Sequence, residues 1–278
     1  MHLERFSGLA FRIGRKLATY RGRRVADAVQ VLADMLQRGL NNTNFDAATN
    51  GEARALRILS RHDMRCLFDV GANVGDWSRM ASESFPESSI HAFEVVPATF
   101  AELVRKTSDI PGITHNGVGL SDSAEEITLY LSSKGTSDAT AFKINSAASH
   151  NDYYVHEVRG RTITGLDYVT TRNIPEVDIL KIDVEGMDLR VIRGFSEALD
   201  RVRVIQFEYG VFNISSHDLL SDFYALLEEA GFVIGKIYPR VVDFSAYHFH
   251  MENFHYSNYL AIRRGESELL AELATYTR

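Results

Sequence analysis

The chain has 278 residues, 45% of them hydrophobic and 24% charged, and a formal net charge of −7. This composition is typical of a globular protein with a sizeable core, and the negative charge argues against nucleic acid as an electrostatic partner. The single cysteine, Cys66, excludes an intramolecular disulfide and a cysteine-built metal site. The sequence has neither an apolar run long enough to span a bilayer nor a recognisable signal peptide, so we expect a cytoplasmic protein.

The first two dozen residues are basic and amphipathic. Seven cations stand against one acid, Glu4, and apolar residues recur between them at helical spacing. The cations are Arg5, Arg12, Arg15, Lys16, Arg21, Arg23 and Arg24. Such a helix can pack on the main domain or on a second copy of the chain, dock on an acidic partner, or lie on an anionic inner membrane surface. A second helix is predicted from Val25 to Leu40, and residues 1–50 are the predicted N-terminal helical appendage.

A glycine turn dominates the next part of the chain. A helix predicted over 51–62 leads into a short apolar strand that begins at Cys66 and ends in Asp69-Val-Gly-Ala-Asn-Val-Gly75. A helix follows from Asp76. A buried strand that breaks into a glycine turn before a helix is the first unit of a nucleotide-binding α/β sheet. Gly71, Asn73 and Gly75 are therefore candidate cofactor-binding residues, because glycine lets the backbone come close to a ligand.

The spacing of this turn separates two kinds of nucleotide. A dinucleotide fingerprint has the pattern G-x-G-x-x-G, whereas no glycine lies two residues after Gly71. The Asp69 carboxylate would repel a pyrophosphate but suits a ligand with an ammonium group, such as S-adenosylmethionine. The second predicted strand ends at Glu94, where an acid can accept both hydroxyls of an adenosine ribose. An NAD(P)-dependent oxidoreductase, which Glu94 permits, and a non-catalytic scaffold of the same fold stay open as alternatives.

The middle of the chain is predicted to add a third strand and a β-rich insertion. A helix runs from Pro97 to Thr107, and the third strand from Ile113 to Leu120 is closed by Ser121-Asp122. Alternating apolar residues predict further strands over 126–131, 140–144 and 155–163. This insertion is placed where it could form a wall for the methyl acceptor.

Three carboxylates follow the fourth and fifth predicted strands, Val177–Asp183 and Val202–Glu208. Because the carboxyl ends of parallel strands meet at one crevice, Asp183, Glu185 and Glu208 are expected to lie together there. A carboxylate can accept the proton of a hydroxyl that is being methylated, and Lys181 can orient the acids or steady the oxyanion. Ion pairing with Lys181 is the structural alternative. A divalent cation could also acidify a sugar diol, but nothing in the sequence requires one, and no metal site is predicted.

The last part of the chain is predicted to complete the sheet. A helix over 217–230 precedes strands over 232–238 and 256–262. The loop between the two strands, residues 244–255, is rich in aromatic residues and histidines. It could be an acceptor lid or simply pack against the core. A loose helix is expected over the last dozen residues.

Three motifs together resemble the FkbM family of class I S-adenosylmethionine-dependent methyltransferases. They are Asp69-Val-Gly-Ala-Asn-Val-Gly75, His91-Ala-Phe-Glu94 and Leu180-Lys-Ile-Asp-Val-Glu-Gly186, and the resemblance runs from about Asn41 to about Arg263. It implies a Rossmann-like α/β fold with a mostly parallel seven-stranded sheet, helices on both faces, N-terminal helices and a β-rich insertion. It also implies an O-methyltransferase that acts on sugars or on polyketide-derived hydroxyls, and we predict a sugar hydroxyl, in a glycan or a glycosylated metabolite.

The resemblance adds roles for two further segments. Asp122 would reach the adenine amino group, with the capping of a turn as the alternative, and Asn50-Gly51-Glu52 could cover the cofactor. Residues 51–265 are then the predicted methyltransferase domain and residues 266–278 a C-terminal tail. The implied partners are a small-molecule or glycan acceptor, with a membrane surface and a second copy of the chain as further options for the basic helix.

Overall fold

The computed structural model describes residues 2–132, 135–142 and 156–276. The chain divides into two compact units, Met1–Thr43 and Asn44–Arg278. The first unit consists of two helices, α1 (His2–Ala18) and α2 (Arg24–Leu40), which confirms both predicted N-terminal helices. None of the described helices has the length and apolar character needed to cross a bilayer. The predicted domain boundaries at 50 and 265 stay predictions.

The second unit is an α/β domain that alternates helices and strands. Its first half contains α3 (Glu52–Leu59), β1 (Cys66–Val70), α4 (Asp76–Ser84), β2 (Ser89–Phe93), α5 (Pro97–Thr107), β3 (Ile113–Asn116) and β4 (Gly119–Ser121). The insertion contains β5 (Glu126–Ser132), β6 (Gly135–Thr140) and β7 (His156–Thr164). The second half contains α6 (Gly165–Thr171), β8 (Val177–Ile182), α7 (Asp188–Arg193), β9 (Val202–Tyr209), α8 (Asn213–Ser216), α9 (Leu220–Glu229), β10 (Phe232–Tyr238), β11 (Val241–Asp243), β12 (Ser257–Arg263) and α10 (Ser267–Ala274). Two 3-10 helices cover Ser196–Arg201 and Phe249–Met251.

The main sheet has the strand order β11-β10-β12-β9-β8-β1-β2-β3. The strands from β9 to β3 are parallel, while β12 runs antiparallel to both β9 and β10. The chain reverses direction across the sheet between β1 and β8, which is where ligands bind in open α/β sheets. This order confirms the Rossmann-like class I fold. The sheet has eight strands rather than the predicted seven, since β11 forms a hairpin with β10. The sequence did not predict β11, because a three-residue segment carries too little periodicity.

The fold differs from the predicted elements in three places. The predicted third strand is two strands: β3 stays in the main sheet, while β4 pairs with β7 in a second sheet of order β4-β7-β5-β6. The division falls where Gly117 packs against the Phe100 ring. The sequence also predicts that a helix follows the turn at Gly186 and continues to about Leu199; in the structure α7 ends at Arg193, before Gly194, where a side chain would collide with the Ser121 backbone. The strand predicted over 140–144 is misplaced, since β6 spans Gly135–Thr140, and residues 143–155, which include the predicted polar loop, lie outside the described part of the chain.

Helices cover both faces of the main sheet. On one face, α6, α7 and α9 pack around Phe68, Phe195 and Phe207. On the other face, α3, α4 and α10 pack around Leu67 and Leu260. The terminal helix α10 belongs to this second layer, since Leu269 and Leu273 are fully buried. The prediction of a loose terminal helix is therefore wrong. The candidate site lies along the carboxyl edge of this covered sheet.

Candidate active site

The turn after β1 lies directly against the turn after β8. Gly71 has φ +80°, and a Cβ at this position would collide with the carbonyl oxygen of Asp183. Gly75 has φ +93°, and a Cβ there would lie 2.6 Å from the Thr107 side chain on α5. Only glycine combines this backbone conformation with such close approach. The predicted glycine turn therefore joins the carboxyl ends of β1 and β8 without an intervening side chain.

The Glu94 carboxylate is fixed at the end of β2. It accepts one hydrogen bond from the backbone N–H of Asn73 (3.0 Å) and another from that of Val96 (2.8 Å). A carboxylate offers about four acceptor sites, so each oxygen keeps capacity for another donor. Burial raises the pKa of Glu94, while the backbone hydrogen bonds oppose that rise. The site thus has a held acceptor at the position predicted for ribose binding.

Asp69 lies behind the turn rather than at its surface. Its side chain is fully buried, and one oxygen accepts a hydrogen bond from the Ser78 hydroxyl (2.6 Å). The other oxygen accepts no hydrogen bond from a described residue and lies 3.6 Å from Lys181 Nζ. Burial raises the pKa of Asp69, against the opposing effects of Lys181 and Ser78. Because Lys181 already serves as the nearby cation, the contact of Asp69 with a ligand ammonium stays a prediction.

Lys181 bridges the first and fourth predicted strands. It lies opposite Asp69 in the β1–β8 register, and its Nζ donates to Asp183 Oδ2 (3.1 Å). Burial alone would lower the pKa of this lysine, but the carboxylates of Asp183 and Asp69 outweigh burial and raise it. Lys181 is therefore a permanently charged link between the two turns. Of the three strand-end carboxylates for which ion pairing with Lys181 was the alternative, Asp183 forms the pair, and the second partner of the lysine is Asp69.

The row of polar residues continues from β8 to β9 and β12. Gln206 lies opposite Lys181 in the β8–β9 register, and its side-chain amide donates to Glu52 at the start of α3 (2.6 Å). The same Glu52 carboxylate accepts from Asn50 (2.6 Å) and Asn258 (3.1 Å). All four side chains are buried. The segment Asn50-Gly51-Glu52, considered as a cofactor cover, is thus seated on β9 and β12.

Glu208 lies at the carboxyl end of β9, next to Tyr256. The Tyr256 hydroxyl donates to the Glu208 carboxylate, and the Glu208 N–H donates to Asp188 (3.1 Å). Burial raises the pKa of Glu208 well above its usual value, and the charges of Asp183 and Glu185 add to the rise, whereas the Tyr256 hydrogen bond opposes it. Burial likewise raises the pKa of Asp188, to about 7. These shifts mark a crowded acidic pocket, which is a common property of functional sites.

A cleft lies over the β1, β2 and β8 ends. Its lining consists of Gly71, Asn73, Glu94, Val95, Gly119, Leu120, Ile127, Leu129, Ala139, Thr162, Asp183, Val184, Glu185 and Met187. Glu185 has φ +52°, and its carbonyl accepts a hydrogen bond from the Thr140 hydroxyl (2.9 Å). The insertion therefore contributes one wall of the cleft. Along the sheet edge, Glu94, Asp183, Glu208 and Tyr256 follow one another in strand order, with Glu208 beyond the cleft lining.

Comparison with known proteins identifies the family. Residues 69–234 match the family model of the methyltransferase FkbM domain. The chain belongs to the FkbM methyltransferase family. It is an S-adenosylmethionine-dependent methyltransferase, and the alternative of an NAD(P)-dependent oxidoreductase is set aside.

Three relatives illustrate the range of this family. The chain is 27% identical over 197 residues to the hexuronic acid methyltransferase AglP of Haloferax volcanii, a match covering 67% of this chain and 77% of AglP. It is 29% identical over 196 residues to the 31-O-demethyl-FK506 methyltransferase FkbM of Streptomyces tacrolimicus, covering 60% and 72%. It is 24% identical over 152 residues to the 2-O-methyltransferase NoeI of Sinorhizobium fredii, covering 51% and 62%.

Solved structures of methyltransferases are more distantly similar. The crystal structure of methyltransferase FkbM from Methylobacillus flagellatus aligns with a TM-score of 0.45 at 13% identity, covering 71% of this chain and 43% of that one. The O-methyltransferase TomG from Streptomyces achromogenes aligns with a TM-score of 0.43 at 11% identity, covering 76% and 79%. The class I fold of this FkbM-family chain is established by its strand order.

The residues of this FkbM-family site fit its cofactor. Glu94 keeps acceptor capacity for hydroxyl groups, and the buried Asp69 oxygen that accepts no hydrogen bond from a described residue adds negative charge behind the turn.

Asp122 is placed differently from the other candidates. It is exposed after β4, where it accepts hydrogen bonds from Ser121 (3.2 Å) and Ser123 (3.3 Å), while Gly119 and Leu120 line the cleft. Its predicted contact with adenine stays a prediction.

The aromatic loop over 244–255 is largely anchored to the domain. Tyr247 and Phe254 pack against the core, and Glu252 accepts hydrogen bonds from the Tyr247 hydroxyl (3.0 Å) and from the N–H of Ser221 (2.9 Å). This packing supports the structural alternative for most of the loop, although Phe249 is exposed. In the described part of the chain, no three His, Cys, Asp or Glu side chains converge as a metal-binding group would.

Sequence reasoning missed two residues of this FkbM-family site. Tyr256 immediately precedes an antiparallel strand, so its position at the carboxyl edge could have been inferred once β12 was recognised as antiparallel. Asp188 lies three residues after Glu185, at the start of α7. Glu52 was named within the possible cofactor cover, but its contacts had no local signal, because its partners Gln206 and Asn258 are 154 and 206 residues away in sequence.

Proposed function

We propose that this enzyme transfers a methyl group from S-adenosylmethionine to a hydroxyl of a sugar, in a glycan or a glycosylated metabolite. The observation that carries this proposal is the position of Glu208, a half-buried carboxylate of raised pKa, next in strand order to Asp183 and Glu185 of the cofactor cleft. The names of the relatives support it, since one is a hexuronic acid methyltransferase and another a 2-O-methyltransferase.

The cofactor is proposed to lie between the glycine turn and the insertion. The backbone of the turn at Gly71, Asn73 and Gly75 would contact the cofactor. Glu94 would accept hydrogen bonds from its ribose hydroxyls, and Asp69 would supply negative charge behind the turn. Asp122 is kept as the proposed adenine contact, through a rearranged side chain. When bound, S-adenosylmethionine would supply a methyl group activated by its sulfonium, and an acceptor oxygen that attacks this carbon in line would displace the neutral thioether S-adenosylhomocysteine.

The four catalytic candidates are proposed to have different roles. Glu208 is the better base, because burial and the charges of Asp183 and Glu185 raise its pKa and so strengthen its hold on the acceptor's proton. Asp183 is already hydrogen-bonded to Lys181 and would orient the acceptor hydroxyl. Lys181 holds that orientation, and Glu185 contributes the negative charge that keeps the proton affinity of Glu208 high. The hydroxyl proton passes to Glu208 as the oxygen bonds to the methyl carbon.

The acceptor class can be tested with simple glycosides. We expect the purified chain with S-adenosylmethionine to add one methyl group to methyl β-D-glucopyranosiduronic acid or methyl β-D-glucopyranoside, as measured by mass spectrometry. The per-O-methylated glycoside, which has no free hydroxyl, is the matched control and should gain no methyl group. Methylation of a polyketide alcohol with no turnover of any glycoside would overturn the sugar proposal.

We also propose that the N-terminal unit binds the anionic cytoplasmic face of a membrane. The seven cations of residues 1–24 accompany exposed Phe11 and Ile13, the combination that favours anionic interfaces. We expect the full chain to co-sediment with phosphatidylglycerol vesicles, and binding should weaken in high salt and in Arg12→Gln/Arg15→Gln. Arg38→Gln, in which a cation paired with Asp34 is removed, is the control. Salt-insensitive self-association without vesicle binding would instead favour packing on a second copy.

A further inference from the structure

Phe45 is a large, solvent-exposed aromatic residue that contacts the hydrogen-bond partner of the proposed base. Its side chain is 74% exposed, although phenylalanine is among the residues most often buried. Its ring lies against Tyr256, with 4.3 Å between ring centroids and 36° between ring planes. The Tyr256 hydroxyl donates to Glu208. Tyr256 therefore links the two residues: its ring packs against Phe45, and its hydroxyl is hydrogen-bonded to the proposed base, Glu208.

The loop that carries Phe45 is held by its own side chains. Asn44 accepts from the Asp46 N–H (3.0 Å) and donates to the Thr49 hydroxyl (3.0 Å). Asp46 in turn accepts from the Thr49 hydroxyl (2.8 Å). Asn50 donates to the Asn44 carbonyl (3.3 Å), and Asn50 also donates to Glu52 (2.6 Å). These bonds fix the loop to the sheet edge, so the exposed position of Phe45 is a built feature.

An exposed aromatic face of this kind suits a pyranose ring. The π face of phenylalanine is electronegative, and the axial C–H groups on one face of a sugar ring are weakly electropositive and apolar. A ring stacked on Phe45 would have its hydroxyls at its rim, and Glu208 is the acid that Tyr256 connects to this platform. The stacking supplies orientation without competing for the hydroxyl groups.

We propose that Phe45 is the platform on which the acceptor's sugar ring stacks, so that it sets the preference of the enzyme for ring-bearing acceptors. The inference rests on the proposed function and deepens it. It assigns a binding role to Phe45 and a supporting role to Tyr256, which positions both the platform and the base.

The test compares Phe45→Ala with wild type on methyl β-D-glucopyranosiduronic acid. Loss of a stacking contact worth about 1.4 kcal/mol should raise KM about tenfold. The affinity for S-adenosylhomocysteine and the unfolding temperature should stay unchanged. Phe45→Trp should restore the wild-type KM, because it keeps an aromatic face. Tyr276→Ala, which removes an aromatic residue of 62% exposure at the end of the chain, is the matched control and should leave KM unaltered.

Ring protons of the glycoside should also receive saturation from aromatic protons in an NMR transfer experiment with wild type, and less so with Phe45→Ala. An unchanged KM and an unchanged transfer in Phe45→Ala would overturn the platform alone. Absence of glycoside binding and turnover in wild type would overturn both the sugar proposal and the platform. A weaker affinity of Phe45→Ala for S-adenosylhomocysteine would show a structural role and also overturn the platform.

Discussion

Replacing Lys181 with methionine is expected to lower the free energy of unfolding by about 3–5 kcal/mol. The substitution removes the cation that lies 3.6 Å from the buried Asp69 carboxylate and 3.1 Å from Asp183. An unpaired buried charge is costly, because the protein interior solvates it far less well than water does. Turnover should also fall below detection, since Asp183 loses the partner that orients it. Urea unfolding and a methyl-transfer assay measure the two effects.

The controls for Lys181 separate charge pairing from packing. Lys106→Met removes an exposed lysine on α5 and should change stability by no more than about 0.5 kcal/mol. The double variant Asp69→Asn/Lys181→Met removes the stranded carboxylate as well, and should recover a large part of the lost stability but none of the turnover. If Lys181→Met alone unfolds with wild-type stability, the proposed electrostatic link between the two turns is wrong.

Replacing Glu208 with glutamine is expected to reduce kcat by about 100- to 10,000-fold, the usual contribution of a general base. The affinity for S-adenosylhomocysteine should be preserved, because Glu208 lies beyond the cleft lining. The variant should also be more stable than wild type at neutral pH. A carboxyl group whose folded pKa is raised stabilises the fold at low pH and loses that contribution as pH rises through the raised value, and glutamine carries no such charge.

The pH dependence offers a separate test of the same base. Turnover should rise with pH as Glu208 loses its proton. Since the Tyr256 hydrogen bond lowers the pKa of Glu208, Tyr256→Phe should move this rise to higher pH. Glu228→Gln changes an exposed glutamate on α9 and should leave both kcat and the profile unaltered. A Glu208→Gln enzyme that keeps kcat within a few-fold of wild type would transfer the role of base to Asp183.

Local patterns predicted most of the sheet and the acids at its edge. The glycine turn and the Asp183-Val-Glu185-Gly186 run sit at strand ends, and strand ends are marked by short apolar runs that stop at glycine or acid. The parallel arrangement then brings such residues together by topology. These features need no knowledge of distant contacts, so the sequence was sufficient for them.

Contacts between distant segments were beyond such patterns. β3 separates from β4 at Gly117, which packs against Phe100. The helix that follows Gly186 is interrupted at Gly194, which approaches the Ser121 backbone. The surroundings of Asp69 were also beyond local patterns. An acid before a glycine turn predicts a charge near the ligand, but only the β1–β8 register shows that Lys181 faces Asp69.

The backbone contact between Gly71 and Asp183 constrains how this enzyme can diversify. With no side chain separating the two turns, neither can shift without displacing the other, so changes of acceptor cannot be made by remodelling either of them. New specificities must instead arise in the segments around this fixed pair, such as the insertion and the short loop before α3. Relatives with different acceptors are thus expected to vary most in those peripheral pieces, while the distance from the methyl donor to the acids stays constant.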